Sequence, residues 1–182
     1  VSARLLFAGI GVLALLAGAA LWFGSRARSP VPVAGPAEAS PAVVFSTPFA
    51  GLDGQRRSLG AFQGKLLVVN FWATWCAPCR EEMPAFARLQ ERWAGRGVQF
   101  IGIANDEPEK VRRFGEELRI SYPLWTGSQD VADFSRRLGN RLGVLPHTVI
   151  LDARGIVVES RIGVFAEAEL DARLRVLTES RS

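Results

Sequence analysis

The apolar positions change their pattern several times along the chain. Leu5 to Gly24 is an unbroken run of twenty uncharged residues. At a rise of about 1.5 Å per residue such a run spans roughly 30 Å as a helix, the depth of a bilayer core. Ser25 to Ala42 mixes four prolines with small residues, a composition expected to form an extended spacer. Beyond it the pattern is that of a folded domain. Val43 to Ala50 reads as a short strand, and the turn signal Leu52-Asp53-Gly54-Gln55 makes Val44 to Ser58 a hairpin. Leu59 to Gly64 suits one helical turn. Leu66 to Trp72 is continuously apolar but for Asn70, as in a strand buried on both faces. In Pro78 to Ala94, Met83, Phe86, Leu89, Gln90 and Trp93 recur at helical spacing, with Pro84 expected to kink the helix. Val98 to Ala104 repeats the buried-strand pattern. Pro108 to Leu118 and Asp130 to Leu138 read as helices. Thr148 to Leu151 and Ile156 to Ile162 read as strands joined at Ala153-Arg154-Gly155, and Ala166 to Leu177 as a closing helix.

The order is therefore a β-hairpin, β-α-β-α, an extra piece, then β-β-α. Helical crossovers demand parallel central strands, and the closing hairpin adds antiparallel ones. The class is α/β, with a central mixed β-sheet flanked by helices.

Composition narrows the function. The 182 residues suffice for one domain plus appendages. The net charge is +4 with no basic run, so nothing points to nucleic acid. Twenty of the twenty-two basic residues are Arg, which accounts for the high pI. The apolar run at 5–24 exceeds the apolar core of about 7–15 residues in a cleaved signal peptide, so it is read as an uncleaved anchor; Ala17 to Ala20 keep cleavage open. Arg4 precedes the span and Arg26 and Arg28 follow it, which by the positive-inside rule alone leans toward a cytoplasmic domain.

The chemistry rests on the only two cysteines, Cys76 and Cys79, where the apolar strand meets the helix. At a helix N-terminus, unpaired N–H groups and the helix dipole stabilise a thiolate. A structural zinc site needs four ligands, against two cysteines and one histidine, His147. A structural disulfide across two residues would restrict the unfolded chain very little. Haem attachment needs a histidine after Cys79, where Arg80 stands. A redox-active dithiol fits best. A Cu(I)-binding, metallochaperone-like module stays open, with Met83 the nearest further soft ligand. Catalysed reduction of insulin would favour the enzyme, and stoichiometric, chelator-sensitive copper uptake the metal module.

The run Phe71-Trp72-Ala73-Thr74-Trp75-Cys76-Ala77-Pro78-Cys79-Arg80-Glu81-Glu82-Met83-Pro84 resembles the thioredoxin superfamily. Within it, the run resembles the membrane-anchored extracytoplasmic branch typified by TlpA, ResA and CcmG. Val144-Leu145-Pro146-His147-Thr148-Val149-Ile150-Leu151-Asp152 resembles that family's cis-proline segment. The similarity covers roughly residues 43 to 178. It implies a thioredoxin-like fold with an N-terminal β-hairpin and a central insertion, Arg119 to Leu138. The expected organisation is an anchor at 1–24, a linker at 25–42 and a thioredoxin-like domain at 43–182.

The resemblance also implies roles. Cys76 is the exposed attacking thiolate and Cys79 the covered, resolving thiol. Pro78 helps set the helix start. Pro146 is the cis-proline facing the disulfide, and Leu145 offers its backbone to an extended substrate by strand-like pairing. Trp75 contributes an apolar docking surface, with Pro78 and Leu145 as further substrate contacts, while Trp72 is core. Glu82 resembles the acidic residue of the ResA-like branch and is the candidate proton shuttle for Cys79, with Glu81 solvated. Asn70 departs from plain thioredoxins, which carry a buried aspartate there. His147 is expected to be a satisfied or exposed histidine rather than a catalytic one, and Thr148 to pack or hydrogen-bond. A peroxiredoxin-type peroxidase is disfavoured, because that family places Thr or Ser three residues before its reactive cysteine and Pro seven before, against Ala73 and Val69.

The expected function is a membrane-tethered thiol–disulfide oxidoreductase that reduces protein disulfides, with no cofactor beyond its own cysteine pair. Apocytochrome c or copper-site proteins are family-typical partners, and a membrane electron donor would recycle it. An oxidant or isomerase is the alternative within redox chemistry. A catalytic domain outside the cytoplasmic membrane follows from the resemblance and from where disulfides form, against the lean of the flanking arginines.

Overall fold

The computed structural model describes residues 39–180. The apolar span at 5–24 and most of the linker lie outside them. Among the described residues no helix is long and apolar enough to cross a membrane.

The first element corrects the sequence reading. Pro41–Ser46 is a short helix, α1, where a strand from Val43 was expected. Ser40 caps it, accepting from the Val43 N–H at 3.5 Å, and Pro41 opens it. A Ser–Pro start satisfies a free N–H and fixes φ, which outweighs the β preference of Val43 and Val44. The helix also begins two residues inside the stretch read as spacer. The hairpin is shorter than expected, with β1 (Phe49–Gly51) paired antiparallel to β2 (Arg56–Arg57). A 3-10 turn follows at Leu59–Phe62.

The remaining elements are β3 (Leu66–Trp72), α2 (Ala77–Trp93), β4 (Val98–Asn105), α3 (Pro108–Glu117), β5 (Leu124–Gly127), α4 (Gln129–Arg137), β6 (His147–Leu151), β7 (Val157–Ile162) and α5 (Glu167–Glu179). They build one seven-stranded sheet in the order β2-β1-β5-β4-β3-β6-β7. β3, β4 and β5 are parallel, while β6 runs antiparallel to β3 and β7 to β6. The fold is the mixed, helix-flanked α/β sheet expected. α2 runs on through Pro84 to Trp93.

β5 was not foreseen. Tyr122-Pro123-Leu124-Trp125 falls in the central insertion, Arg119 to Leu138, for which the sequence pattern predicts a helix alone. That piece is a strand and a helix, and its strand inserts between β4 and β1. Four residues after a proline carry too little pattern to show as a strand; pairing on both sides forms it. Gly102 on β4 admits the insertion, since a Cβ there would lie 2.7 Å from Leu124 Cδ2.

All seven residues of β3 are buried. Leu66, Val68 and Trp72 join Phe86, Leu89 and Trp93 of α2 and Leu170 and Leu174 of α5 on one face. Leu67, Val69 and Phe71 join Val131 and Phe134 of α4 and Val44 of α1 on the other. Each such aliphatic or aromatic side chain stabilises the fold by roughly 1.5–3 kcal/mol, so β3 is a fixed platform. Its C-terminal end delivers the cysteines.

Candidate active site

Leaving β3, the chain turns through Ala73-Thr74-Trp75, with the Cys76 N–H donating to the Ala73 carbonyl at 3.1 Å. Asp106, just past β4, holds this turn. It accepts from the Thr74 N–H at 3.2 Å and from the Thr74 hydroxyl. Burial works against the Asp106 charge, but the Thr74 hydroxyl, the N–H groups of Glu107 and Thr74 and the nearby Lys110 outweigh it, leaving its pKa below the usual carboxylate range. Sequence reasoning missed Asp106. The parallel register was the available signal: Trp72 stands opposite Ala104, so Thr74 and Asp106 lie two residues beyond a paired position.

Cys76 occupies the N-cap of α2, and Pro78 lies in the first turn. Cys76 and Cys79 form a disulfide with Cα atoms 5.3 Å apart. Cys76 is 5% exposed and Cys79 fully buried. Cys76 is therefore buried rather than exposed as expected, though it keeps slightly more surface than Cys79. Around it Ala77 and Pro78 are exposed and Trp75 is 70% exposed. Trp72 is wholly buried, as expected of a core residue.

The Leu145–Pro146 bond is cis. Because Phe71 pairs with His147, Pro146 falls beside the end of β3 from which the cysteine turn departs. The Pro146 carbonyl accepts from the Gly163 N–H at 2.8 Å, tying in the loop after β7. Gly163 has φ of +89°, a conformation strained for any side chain. Leu145 is half-buried, and its N–H and carbonyl have no hydrogen-bond partner among the described residues. Leu142, Val144 and Val164, in the same two loops, are exposed apolar residues.

One turn of α2 beyond Cys79, Glu82 belongs to a buried polar cluster. β3 and β6 place Asn70 opposite Thr148, and Glu82 of α2 meets Asn70. Asn70 Nδ2 donates to Glu82 Oε1 at 2.9 Å and to Thr148 Oγ1 at 3.1 Å. The Phe165 N–H donates to Glu82 Oε2 at 3.0 Å. Glu82 is therefore no solvated helix residue, being 3% exposed, whereas Glu81 is exposed. Burial pushes the Glu82 carboxyl up to about 7, against the hydrogen bonds from Phe165 and Asn70 that favour its charge. His147, on the opposite side of β6, is wholly buried and held neutral by that burial, its pKa down to about 3.

The Glu82 shift has a measurable effect on stability. In the unfolded chain the group titrates near 4.5, and in the fold near 7. Between those values the folded protein holds a proton that the unfolded chain has lost, so this group's contribution falls as pH rises through the window. The span corresponds to about 3 kcal/mol. His147 acts in the opposite direction below about 6.5, so the wild-type curve alone is composite. We expect Glu82→Gln to gain about 3 kcal/mol relative to wild type between pH 5 and pH 8, read from urea midpoints of the oxidised proteins. A constant difference between the two would contradict this.

A disulfide-bonded cysteine pair at the strand-to-helix junction of this sheet, beside a cis-proline loop and one helical turn from a buried carboxyl, fits a thiol–disulfide oxidoreductase on a thioredoxin-like fold. Comparison with known proteins agrees. A model of the AhpC/TSA family matches residues 39–160. The chain is 32% identical over 128 residues to the thioredoxin-like protein YneN of Bacillus subtilis, covering 68% of this chain and 71% of that one. It is 32% identical over 130 residues to the thiol-disulfide oxidoreductase ResA of Bacillus cereus, covering 70% and 72%. A thioredoxin-family thiol:disulfide interchange protein from Chlorobium tepidum superposes with a TM-score of 0.63 at 28% identity, over 83% of this chain and 99% of that one. A thioredoxin-related protein from Neisseria meningitidis does so with 0.64 at 32% identity, over 72% and 98%. The chain belongs to the AhpC/TSA family, and it is a thiol–disulfide oxidoreductase of the type to which the relatives named ResA belong.

Proposed function

We propose that this enzyme is a membrane-tethered, extracytoplasmic reductant of protein disulfides. The observation that carries the reading is the pairing of Cys76, the more accessible of the two cysteines, with an unpaired backbone at Leu145 and a buried acid that titrates near neutrality, Glu82. An extended substrate segment would lie along Leu145, its apolar side chains on Trp75, Leu142, Val144 and Val164. In the reduced enzyme the Cys76 thiolate attacks one sulfur of the substrate disulfide, and the other substrate sulfur leaves as a thiolate. Cys79 loses its proton to Glu82 and attacks Cys76, breaking the mixed disulfide. Two electrons pass to the substrate, and the enzyme is left as the disulfide seen here. A dithiol or quinol donor in the membrane would restore it.

Leu5 to Gly24 supplies the tether in this reading, with the domain facing the periplasm or cell exterior. Oxidised cysteines of apocytochrome c or of copper-site proteins are the partners it suits. The test is the equilibrium reduction potential in glutathione or dithiothreitol buffers. A value well below about −200 mV supports a reductant. A value near about −120 mV overturns that direction and makes the protein an oxidant or isomerase.

A further inference from the structure

The only histidine of the chain has no part in this chemistry, yet it is bonded at both ends. Ser135 Oγ on α4 lies 2.9 Å from His147 Nδ1, and Ser160 Oγ on β7 lies 2.8 Å from Nε2. The chain of donors fixes where the protons are. Ser160 gives its single proton to the Leu138 carbonyl, 3.0 Å away. It can therefore only accept from the ring, so Nε2 carries the hydrogen. A neutral imidazole has one bare nitrogen, so Nδ1 accepts from the Ser135 hydroxyl. Ser135 in turn accepts from the Asn140 amide at 3.0 Å. The series runs one way, from Asn140 through Ser135 and His147 to Ser160 and the Leu138 carbonyl, with no member left unsatisfied.

Its two ends lie in the loop that leads to Pro146. Asn140 clasps that loop: its Nδ2 also donates to the Val144 carbonyl at 2.9 Å, and its Oδ1 accepts from the Val144 N–H at 3.1 Å. Leu145 and Pro146 come next. The imidazole also stacks on Phe71, ring centres 5.4 Å apart, but any flat ring could do that. Only a neutral imidazole adds a rigid bridge with one acceptor and one donor on opposite edges.

We propose that His147 is a positioning residue for substrate engagement: through Ser135, Asn140 and Ser160 it sets the loop that presents Leu145 and Pro146 to an extended substrate. This rests on the reading of Leu145 and Pro146 as the substrate contact. Loosening the series shifts that contact while leaving the cysteines, at the cap and first turn of α2, where they are. Substrates that need the contact should suffer, and small disulfides that need only Cys76 should not.

The experiment compares insulin with 5,5′-dithiobis(2-nitrobenzoate) as substrates of the full-length reduced protein. The variants are His147→Phe, which keeps the ring stack, and the milder Ser160→Ala and Ser160→Thr. For His147→Phe and Ser160→Ala, kcat/KM on insulin should fall about tenfold relative to that on the small disulfide, chiefly through KM. Ser160→Thr should restore it, and the reduction potential should not move. Nitrogen NMR of the wild type should find the ring hydrogen on Nε2. Equal losses on both substrates, no loss on either, or a hydrogen on Nδ1 would overturn the inference. If His147→Phe does not fold, the Ser160 pair decides alone. A wild type that reacts with the small disulfide but not with insulin would instead sink the docking reading itself.

Discussion

Cys79→Ser will arrest the enzyme with its substrate covalently attached, whereas Cys76→Ser will neither turn over nor trap. The argument is one of access. Cys79 is fully buried in the first turn of α2, and of the two only Cys76, at 5%, keeps any exposure. A substrate disulfide can meet one sulfur alone. Without Cys79 the mixed disulfide forms and has no internal nucleophile to break it. Without Cys76 the first bond never forms. Both variants should lose turnover of insulin by about a thousandfold or more, and only Cys79→Ser should show a slower, thiol-sensitive band on a non-reducing gel. A covalent adduct through Cys79 in the Cys76→Ser protein would reverse the assigned order of attack.

Glu82→Gln will slow release from the mixed disulfide by about a hundredfold near pH 7 and remove an inflection from its pH profile. The buried carboxyl titrates near 7, so its ionised form, the one able to accept a proton from Cys79, accumulates as pH rises through that value. Release in the wild type should accelerate through the same window. In the variant it should climb only as the thiol itself ionises, at about 8.5 for an unperturbed cysteine. Stopped-flow fluorescence of Trp75, next to Cys76, gives the rate. An inflection that survives the substitution, with a loss below about twofold, would leave Glu82 a structural group.

Asn70 explains why an amide suits this position. With Glu82 ionised, Asn70 Nδ2 donates to it, and Asn70 Oδ1 is buried without a partner. When Glu82 is protonated, a half-turn of the amide would bring Oδ1 to accept the new hydrogen and that of Thr148. An aspartate could donate to neither form while ionised. It would also press a second negative charge on Glu82 and drive its pKa further up.

The parts of the fold visible in the sequence were those with a one-dimensional signature. β3 and β4 are apolar runs, α2 shows its buried side at Met83, Phe86, Leu89, Gln90 and Trp93, and the cysteine and proline motifs mark the two sides of the site. Where three-dimensional pairing decides, the sequence was mute. β5 exists because two neighbours flank it. α1 reversed the strand reading because two residues at its start outweighed the valines that follow. Glu82 and Glu81 are neighbours of one type, and the orientation of α2 over β3 is what buries one and exposes the other. Asp106 and the His147 series are likewise matters of register. His147 is satisfied, one of the two environments expected for it, but its partners are spread over α4, the following loop and β7.

The disulfide joins the cap of α2 to its first turn, across only two intervening residues. So small a ring takes little freedom from the unfolded chain. The two redox forms, unfolded, are then nearly equivalent, and a thermodynamic cycle makes a demand of the folded ones. Whatever separates their resistance to denaturant must reappear as electron affinity, with about 1.4 kcal/mol equal to 30 mV for a two-electron couple. Helix-terminal N–H groups that favour the Cys76 thiolate therefore do two things at once: they hold the reduced fold together and weaken it as a reductant. Any substitution at the start of α2 can be read in either currency, by a denaturation curve or by a redox titration, and the two readings have to agree.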